Sequence, residues 1–318
     1  MGGRLRMTGK VIYVLSDNRS GSTLLDQLLG ANADIVSLGE VHHLPAYVLN
    51  DRSIYDPVHS LVCSCGNPVT ECEFWKGVAM QMGRSLDSLR LKPRFYDRRG
   101  PGRGFERLIK GSIKKLLSRW PKLRTTSLFR SLLSSRKVGK DSFELFDAIF
   151  AWTGAEFLVD SSKDPFRMRN LYDYDPDRIV VVMLARDVRG IAHSKMKRGR
   201  DIVSSVKGWT SRMNNMKAVV EGIPHEKVIR MKYEDLCADP KGELQRVCDV
   251  LNIDFAEEML TRPSASVHHL GGSPSKFDPS RRSISVDQAY VTAFSDEQLR
   301  IIKDIAGDAA GEWGYDLD

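Results

Sequence analysis

Five consecutive residues, Arg19-Ser20-Gly21-Ser22-Thr23, bring one fixed cation, three hydroxyls and a glycine together. The chemistry they suit is anion binding. Glycine lets the backbone approach a ligand closely, successive N–H groups and a helix N-terminus point toward it, and the hydroxyls add donors. The flanking sequence reads as strand, loop, helix. Val11–Leu15 (VIYVL) is an apolar strand run, Ser16–Gly21 a polar turn, and Thr23–Leu29 a helix with Leu24, Leu25, Leu28 and Leu29 at helical spacing. A loop that holds a Mg-bound triphosphate follows the pattern GxxxxGK[ST]. Here Ser22 stands where that pattern has Lys, and Ser16 stands where it has the first glycine. The cation precedes Gly21 instead, which points to a different donor. The competing reading is a plain helix cap with Ser22 or Thr23 at the N-cap.

Further elements must hold such a loop in place. Phe157–Val159 ends a second strand, followed by the polar turn Asp160–Pro165. Ile179–Leu184 (IVVVML) is the strongest strand run and leads to Arg186, with a helix expected from Val188 to Lys197. Lys227–Lys232 reads as a fourth strand and Glu243–Leu251 as a helix. Continuous apolar strands alternating with helices predict an α/β fold: a P-loop-like parallel sheet flanked by helices on both faces. Residues 1–318 are expected to form a single domain. Its departures are a basic helical insertion over 84–140 and a loop-rich C-terminal segment over 263–290.

Charge sets the insertion apart. The chain carries +7 overall, but 84–140 holds 18 Lys/Arg against 3 Asp/Glu, a local +15 that leaves the rest at −8. A uniformly basic nucleic-acid binder does not look like this, and no nucleic-acid partner is expected. Within 104–120, Phe105, Leu108, Ile109, Ile113, Leu116, Leu117 and Trp120 share one helical face, with Arg107, Lys110 and Lys114 opposite. Such a helix suits peripheral contact with an anionic membrane, an electrostatic funnel for an acidic ligand, or a lid packed on the core.

With 318 residues, 42% hydrophobic and 28% charged, the composition is that of a folded globular chain. No apolar run reaches the roughly 18 residues that cross a bilayer. The basic stretch Met1–Lys10 carries no cleavage pattern, so a cytoplasmic protein is expected, in peripheral contact with the inner membrane face where the helix binds it. Five cysteines are too few for a disulfide scaffold. Cys63, Cys65 and Cys72 cluster ahead of Phe74-Trp75. A local disulfide or three packed thiols are expected, a four-ligand zinc site completed by His59 is the alternative, and no metal is expected to be required.

Motif order then adds a resemblance. The Arg19–Thr23 loop after a strand resembles the 5′-phosphosulfate loop of sulfotransferases that use 3′-phosphoadenosine 5′-phosphosulfate (PAPS), in the bacterial carbohydrate and tyrosylprotein branch. VVVMLARDVRGIAHSKMKRG resembles the family's 3′-phosphate motif, with Arg186 at the strand end, Ser194 eight residues on, and Arg198 beyond it. SSKDPFRM is similar to the segment that carries the family's lysine, here Lys163, and MKYEDLCADP to the segment that carries Tyr233. SVHHLGGSPSKF resembles a bacterial stretch in which Ser273 replaces Asn and Lys276 replaces Arg. The resemblance covers 11–44 and 157–290.

The resemblance implies sulfuryl transfer from PAPS to an acceptor hydroxyl, on a carbohydrate or glycolipid, with adenosine 3′,5′-bisphosphate as product. Arg19, Ser20, Gly21, Ser22 and Thr23 are then expected at the 5′-phosphosulfate. Arg186, Ser194 and Arg198 are expected at the 3′-phosphate, Tyr233 at the adenine or 3′-phosphate, and Lys276 on the donor. Lys163 would stabilise the leaving oxygen. Glu40, in VSLGEVHHL, is expected as the base, with His42 and His43 as rivals. A P-loop kinase with Asp160 as a Mg ligand is the first alternative. A non-catalytic protein acting through the basic insertion is the second.

Overall fold

Val11, Ile12, Tyr13, Val14 and Leu15 are each fully buried, as a strand requires when both faces of its sheet are covered. The computed structural model of the protein describes residues 9–51, 61–92, 136–261, 268–273 and 284–317. Five strands, β1 (Lys10–Ser16), β2 (Ile35–Ser37), β3 (Phe157–Asp160), β4 (Ile179–Ala185) and β5 (Val228–Lys232), form one sheet in the order β2-β3-β1-β4-β5. Every pairing is parallel. The central strand β1 sets Val11 opposite Leu158 on one side and opposite Ile179 on the other.

The described helices are α1 (Ser22–Leu29), α2 (Leu44–Val48), α3 (Glu73–Met82), α4 (Arg136–Thr153), α5 (Pro165–Tyr174), α6 (Val188–Met196), α7 (Ile202–Val220), α8 (Tyr233–Ala238), α9 (Pro240–Leu251) and α10 (Asp296–Gly311). They divide between the two faces by strand alternation. Val11, Tyr13 and Leu15 join a core with α3, α4, α5, α6, α7 and α10. Ile12 and Val14 join a second core with α1, α8 and α9. The expected α/β sheet with helices on both faces is therefore present. Among the described residues, no helix is long and apolar enough to cross a membrane.

Several described elements were not anticipated, β2, α7 and α10 among them. β2 is only three residues long, too short for a periodic signal. α7 is rich in Ser, Asn and Val, which dilute helix propensity, yet Val206, Trp209, Met213, Met216 and Val219 form its buried stripe. α10 carries a full capping box, Ser295 with Gln298.

Both edges of the expected insertion pack on the domain. Leu86, Leu89 and Leu91 lie in the core, and Arg136–Lys140 open α4. Residues 93–135, with the apolar face from Phe105 to Trp120, lie outside the described residues, as do His59 and Lys276.

One buried ion pair ties β3 to this layer. Arg167 Nη2 meets Asp160 Oδ2 at 2.9 Å with both side chains fully buried. The same guanidinium donates to Leu91 O at 2.5 Å and Ser142 Oγ at 2.9 Å. Removing the cation alone leaves a buried carboxylate uncompensated. Arg167→Met is expected to lower folding stability by about 3–5 kcal/mol, measured by denaturant unfolding. An unchanged midpoint would show that Asp160 is solvated in the native protein.

Candidate functional site

Parallel strands deliver their C-terminal ends to one edge of the sheet, and chain order reverses at β1, between β3 and β4. Ligands of open α/β sheets bind in the crevice at such a reversal. The β1–α1 loop sits there. Arg19 (φ 75°) and Gly21 (φ 85°) both have left-handed backbone, a conformation in which successive N–H groups converge on an anion. A Cβ on Gly21 would lie 2.4 Å from the Tyr233 ring, so the position also needs glycine for space. The N-cap of α1 is Gly21, with no side-chain cap. The capping alternative is thus not realised: Thr23 Oγ1 instead accepts from Ser273 N at 3.0 Å. Ser16 Oγ and Ser20 Oγ are buried with no hydrogen-bond partner among the described residues. Asp17 braces the loop, accepting from Asn18 N at 2.8 Å and Lys195 Nζ at 2.6 Å.

Arg19 reaches across this crevice. Its Nε donates to Ser194 Oγ at 3.0 Å and its Nη1 to Ser273 Oγ at 3.2 Å. Arg186 follows β4 and donates through Nη1 to Arg19 O at 3.1 Å. Its guanidinium lies over the Tyr233 ring, 4.5 Å from the centroid. Arg186 Nη2 also binds Asp287 Oδ2 at 3.0 Å, while Arg186 Nε is buried and unpartnered. Burial opposes the charge of Asp287, but the Arg186 hydrogen bond, the Ala289 amide and the nearby positive charges together outweigh it and hold the carboxyl below its usual range. Tyr233 OH donates to Ser285 O at 3.3 Å. Arg198 is exposed beyond α6 and makes no side-chain hydrogen bond or ion pair among the described residues.

The second half of the site is a carboxylate–ammonium pair. Lys163, with left-handed backbone at φ 65°, places Nζ 2.5 Å from Glu40 Oε1. Gly272 N donates to the same oxygen at 3.0 Å, and His43 Nε2 lies 3.6 Å from Glu40 Oε2. Burial works against ionised Glu40, but Lys163 and then His43 more than offset it, keeping the carboxyl well below the usual range. Desolvation pushes His42 down and His43 down to about 4, with Lys92 adding to the latter. Both rival imidazoles are therefore neutral near pH 7. Glu40, His42 and His43 also converge closely enough to ligate a cation, although the Lys163 ammonium already occupies Glu40 Oε1.

Gly272 and Ser273 join the two halves. One touches Glu40 and the other Arg19, so Glu40–Lys163 and the anion loop face one crevice. Of the expected site residues, Arg19, Glu40, Lys163, Arg186, Ser194 and Tyr233 are brought together by these contacts, with Ser20, Gly21, Ser22 and Thr23 in the segment that carries Arg19; Arg198 stands apart. Asp160, the Mg ligand of the kinase alternative, is bound to Arg167 and Ser162 N. Asp287, Gly272 and Lys92 were not foreseen, because contacts across long sequence separations leave no local signal.

Beneath the crevice, Asp26 of α1 is fully buried and accepts from Ser37 Oγ at 2.5 Å and from Ser161 Oγ. It thereby ties α1 to the ends of β2 and β3. Desolvation raises its pKa to about 6, partly opposed by the Ser161 and Ser37 hydroxyls. A raised folded-state pKa favours the protonated native state. The associated stability is fully present below the unfolded carboxyl value and is lost as pH rises through about 6. Asp26→Asn is expected to abolish this loss, seen as a flatter melting temperature between pH 4 and pH 7. A profile parallel to wild type would place the titration elsewhere.

A parallel five-stranded sheet flanked by helices, with a glycine-bearing loop at its reversal and a Lys–Glu pair beside it, is a P-loop-like α/β fold. More narrowly, the chain belongs to the sulfotransferase family, whose model matches residues 85–257. That match contains Lys163, Arg186, Ser194, Arg198 and Tyr233, and begins after the Arg19 loop and Glu40. The fold is shared with two sulfotransferase domains. One is from the Synechococcus PCC 7002 olefin synthase (17% identity, TM-score 0.55, 94% of this chain and 95% of that one). The other is from the curacin biosynthetic pathway (16%, 0.54, 98% and 99%). Two curated relatives carry the name "Putative protein-tyrosine sulfotransferase". The Caenorhabditis elegans protein is 26% identical over 49% of this chain and 64% of its own length. The Caenorhabditis briggsae protein is 23% identical over 39% of this chain and 49% of its own length. The chain thus spans less than two thirds of either.

Proposed function

We propose that the chain transfers a sulfuryl group from PAPS to an acceptor hydroxyl and releases adenosine 3′,5′-bisphosphate. The observation that carries this reading is the junction at Gly272-Ser273, where a lysine-bound carboxylate and an arginine-lined anion loop meet. Fit to an anionic donor is supported by three buried polar atoms without partners, Ser16 Oγ, Ser20 Oγ and Arg186 Nε. Backbone N–H groups from Gly21 onward and the hydroxyls of Ser20, Ser22 and Thr23 would receive the 5′-phosphosulfate, with Arg19 over its oxygens. Arg186, Ser194 and the exposed Arg198 would hold the 3′-phosphate, which would share Arg186 with Asp287. The Tyr233 ring would border the adenine, and Lys276 would approach from the C-terminal segment.

The donor brings a sulfuryl group on an activated phosphosulfate linkage. The bond from sulfur to the phosphate oxygen breaks as the acceptor oxygen bonds to sulfur, and the acceptor proton passes to Glu40. Lys163 offers its ammonium to the departing oxygen. The pairing in the free protein suppresses the basicity of Glu40. A bound anion gives Lys163 a second partner, and whatever share it takes returns basicity to the carboxylate. One side chain would thus couple leaving-group stabilisation to base activation.

The acceptor is proposed as a hydroxyl of a carbohydrate or glycolipid, one of the two substrate classes of the branch that the Arg19 loop resembles. A tyrosine phenol is the second reading, favoured by the names of the two curated relatives.

Calorimetry with adenosine 3′,5′-bisphosphate and with ATP, each with and without Mg²⁺, tests the donor. Metal-independent binding of the bisphosphate is expected, weakened about ten- to a hundredfold by Arg19→Ala or Arg186→Ala. Affinity unchanged in both variants would remove the site assignment, and a preference for Mg-ATP would make the chain a kinase. Glu40→Gln is expected to retain bisphosphate affinity while turnover falls about 10²- to 10⁴-fold, with sugar and tyrosyl-peptide acceptors assayed in parallel. Retained turnover would move the base to His42 or His43.

A further inference from the structure

A cluster of three thiols and an imidazole lies beside the crevice and plays no part in the transfer chemistry. Cys63, Cys65, Cys72 and His268 bring their donor atoms within 4.8 Å of one another. Cys72 Sγ lies 3.8 Å from Cys63 Sγ, 3.7 Å from Cys65 Sγ and 3.2 Å from His268 Nδ1, and Cys63 Sγ is 3.7 Å from the same nitrogen. Ligands at about 2.3 Å (sulfur) and 2.0–2.1 Å (nitrogen) from a tetrahedral zinc stand roughly 3.5–3.8 Å apart. A disulfide would need about 2.05 Å between sulfurs, and all three thiols are free.

Backbone N–H groups surround the three sulfurs. Val62 and Pro68 bridge the ends of a tight turn closed by Gly66 N to Cys63 O at 2.9 Å, with Gly66 at φ 92°. Within it the backbone N–H of Cys65 faces Cys63 sulfur and that of Asn67 faces Cys65 sulfur; the N–H of Trp75 faces Cys72. Cys72 is also the N-cap of α3, where the helix field stabilises negative charge. Phe74 stacks on the His268 ring at 5.0 Å with 4° between planes, which fixes the imidazole orientation. N–H···S contacts and ring orientation of this kind are what outer partners supply to a metal centre.

We propose that Cys63, Cys65, Cys72 and His268 form a closed structural zinc site. It joins the turn at 63–72 to a segment about 200 residues later. Ser64 reinforces the same junction, its N donating to His269 O at 3.2 Å and its Oγ accepting from His269 N at 3.0 Å. From His268 the chain runs directly to Gly272 and Ser273, the residues that meet Glu40 and Arg19. The metal therefore anchors the strap that joins the two halves of the crevice, and it takes no part in group transfer.

The test is metal analysis of the full chain purified without chelator or added metal. Close to one zinc per chain is expected, together with protection of the three thiols from native alkylation. Exchange for cobalt should give the intense thiolate charge-transfer and visible bands of a tetrahedral site. Cys72→Ser and His268→Ala are expected to lose zinc and shift the cobalt spectrum, whereas Cys248→Ala, outside the cluster, retains both. The wild-type measurement stands even if a variant fails to fold. Trace metal with freely alkylated thiols, stoichiometric iron, or a Cys–Cys linkage found by mass spectrometry would each overturn the proposal. None of these readouts requires sulfotransferase activity, so they stand or fall apart from the donor assignment.

Discussion

Cations gathered in one place repel each other, and a site for a multiply charged anion must hold several before the anion arrives. This constraint shapes the crevice. Three of the cations are restrained by an acid or a carbonyl, Lys195 by Asp17, Arg186 by Asp287 and Arg19 O, and Lys163 by Glu40, while Arg19 is held by the Ser194 and Ser273 hydroxyls. The acids keep the cations in extended, fixed poses in a partly desolvated setting. The proposed donor would then replace existing ion pairs rather than order free side chains. Affinity becomes a difference between two sets of charge contacts, which favours ligands of matching shape over anions in general.

The sheet explains why these groups can be close at all. Residues 16–21, 160–164 and 186 follow β1, β3 and β4, three adjacent parallel strands, so their loops emerge side by side. Two buried ties hold that edge in register. Asp26 binds serines after β2 and β3, and Asp160 binds Arg167 of α5. Left-handed backbone at Arg19 and Lys163 departs from what their side chains prefer. Both lie in the loops that carry the proposed chemistry, and the surrounding hydrogen bonds hold them there.

How far the sequence reveals this arrangement depends on what each residue needs. That Arg19, Lys163 and Arg186 share one sheet edge was legible because each closely follows an apolar strand run, and strand ends in a parallel sheet share one edge. Arg198 follows the same motif but projects into solvent, because spacing along a helix end does not fix orientation. Asp287, Gly272 and Lys92 left no trace, since their roles arise from loops that return over long distances. The cysteines stood out by density, but proximity along the chain offered His59 as the fourth donor, whereas the fold brings His268. α7 shows the opposite failure. Its apolar stripe was present in the sequence, but polar and β-branched residues around it masked the period.

The contact between Arg19 and Ser273 spans 254 residues, and that between Ser273 and Thr23 spans 250. The first strand and its loop therefore leave the ribosome long before the segment that completes them. Through most of synthesis the loop is an unfinished half-site, with its arginine lacking one serine partner and Glu40 lacking the Gly272 amide. The crevice can close only when the late segment docks, and closing so large a loop costs entropy that the finished core must offset. Completion of the crevice thus reports that synthesis has passed residue 273, and a polypeptide truncated before residue 272 would retain the strands of the sheet while leaving its working edge unassembled.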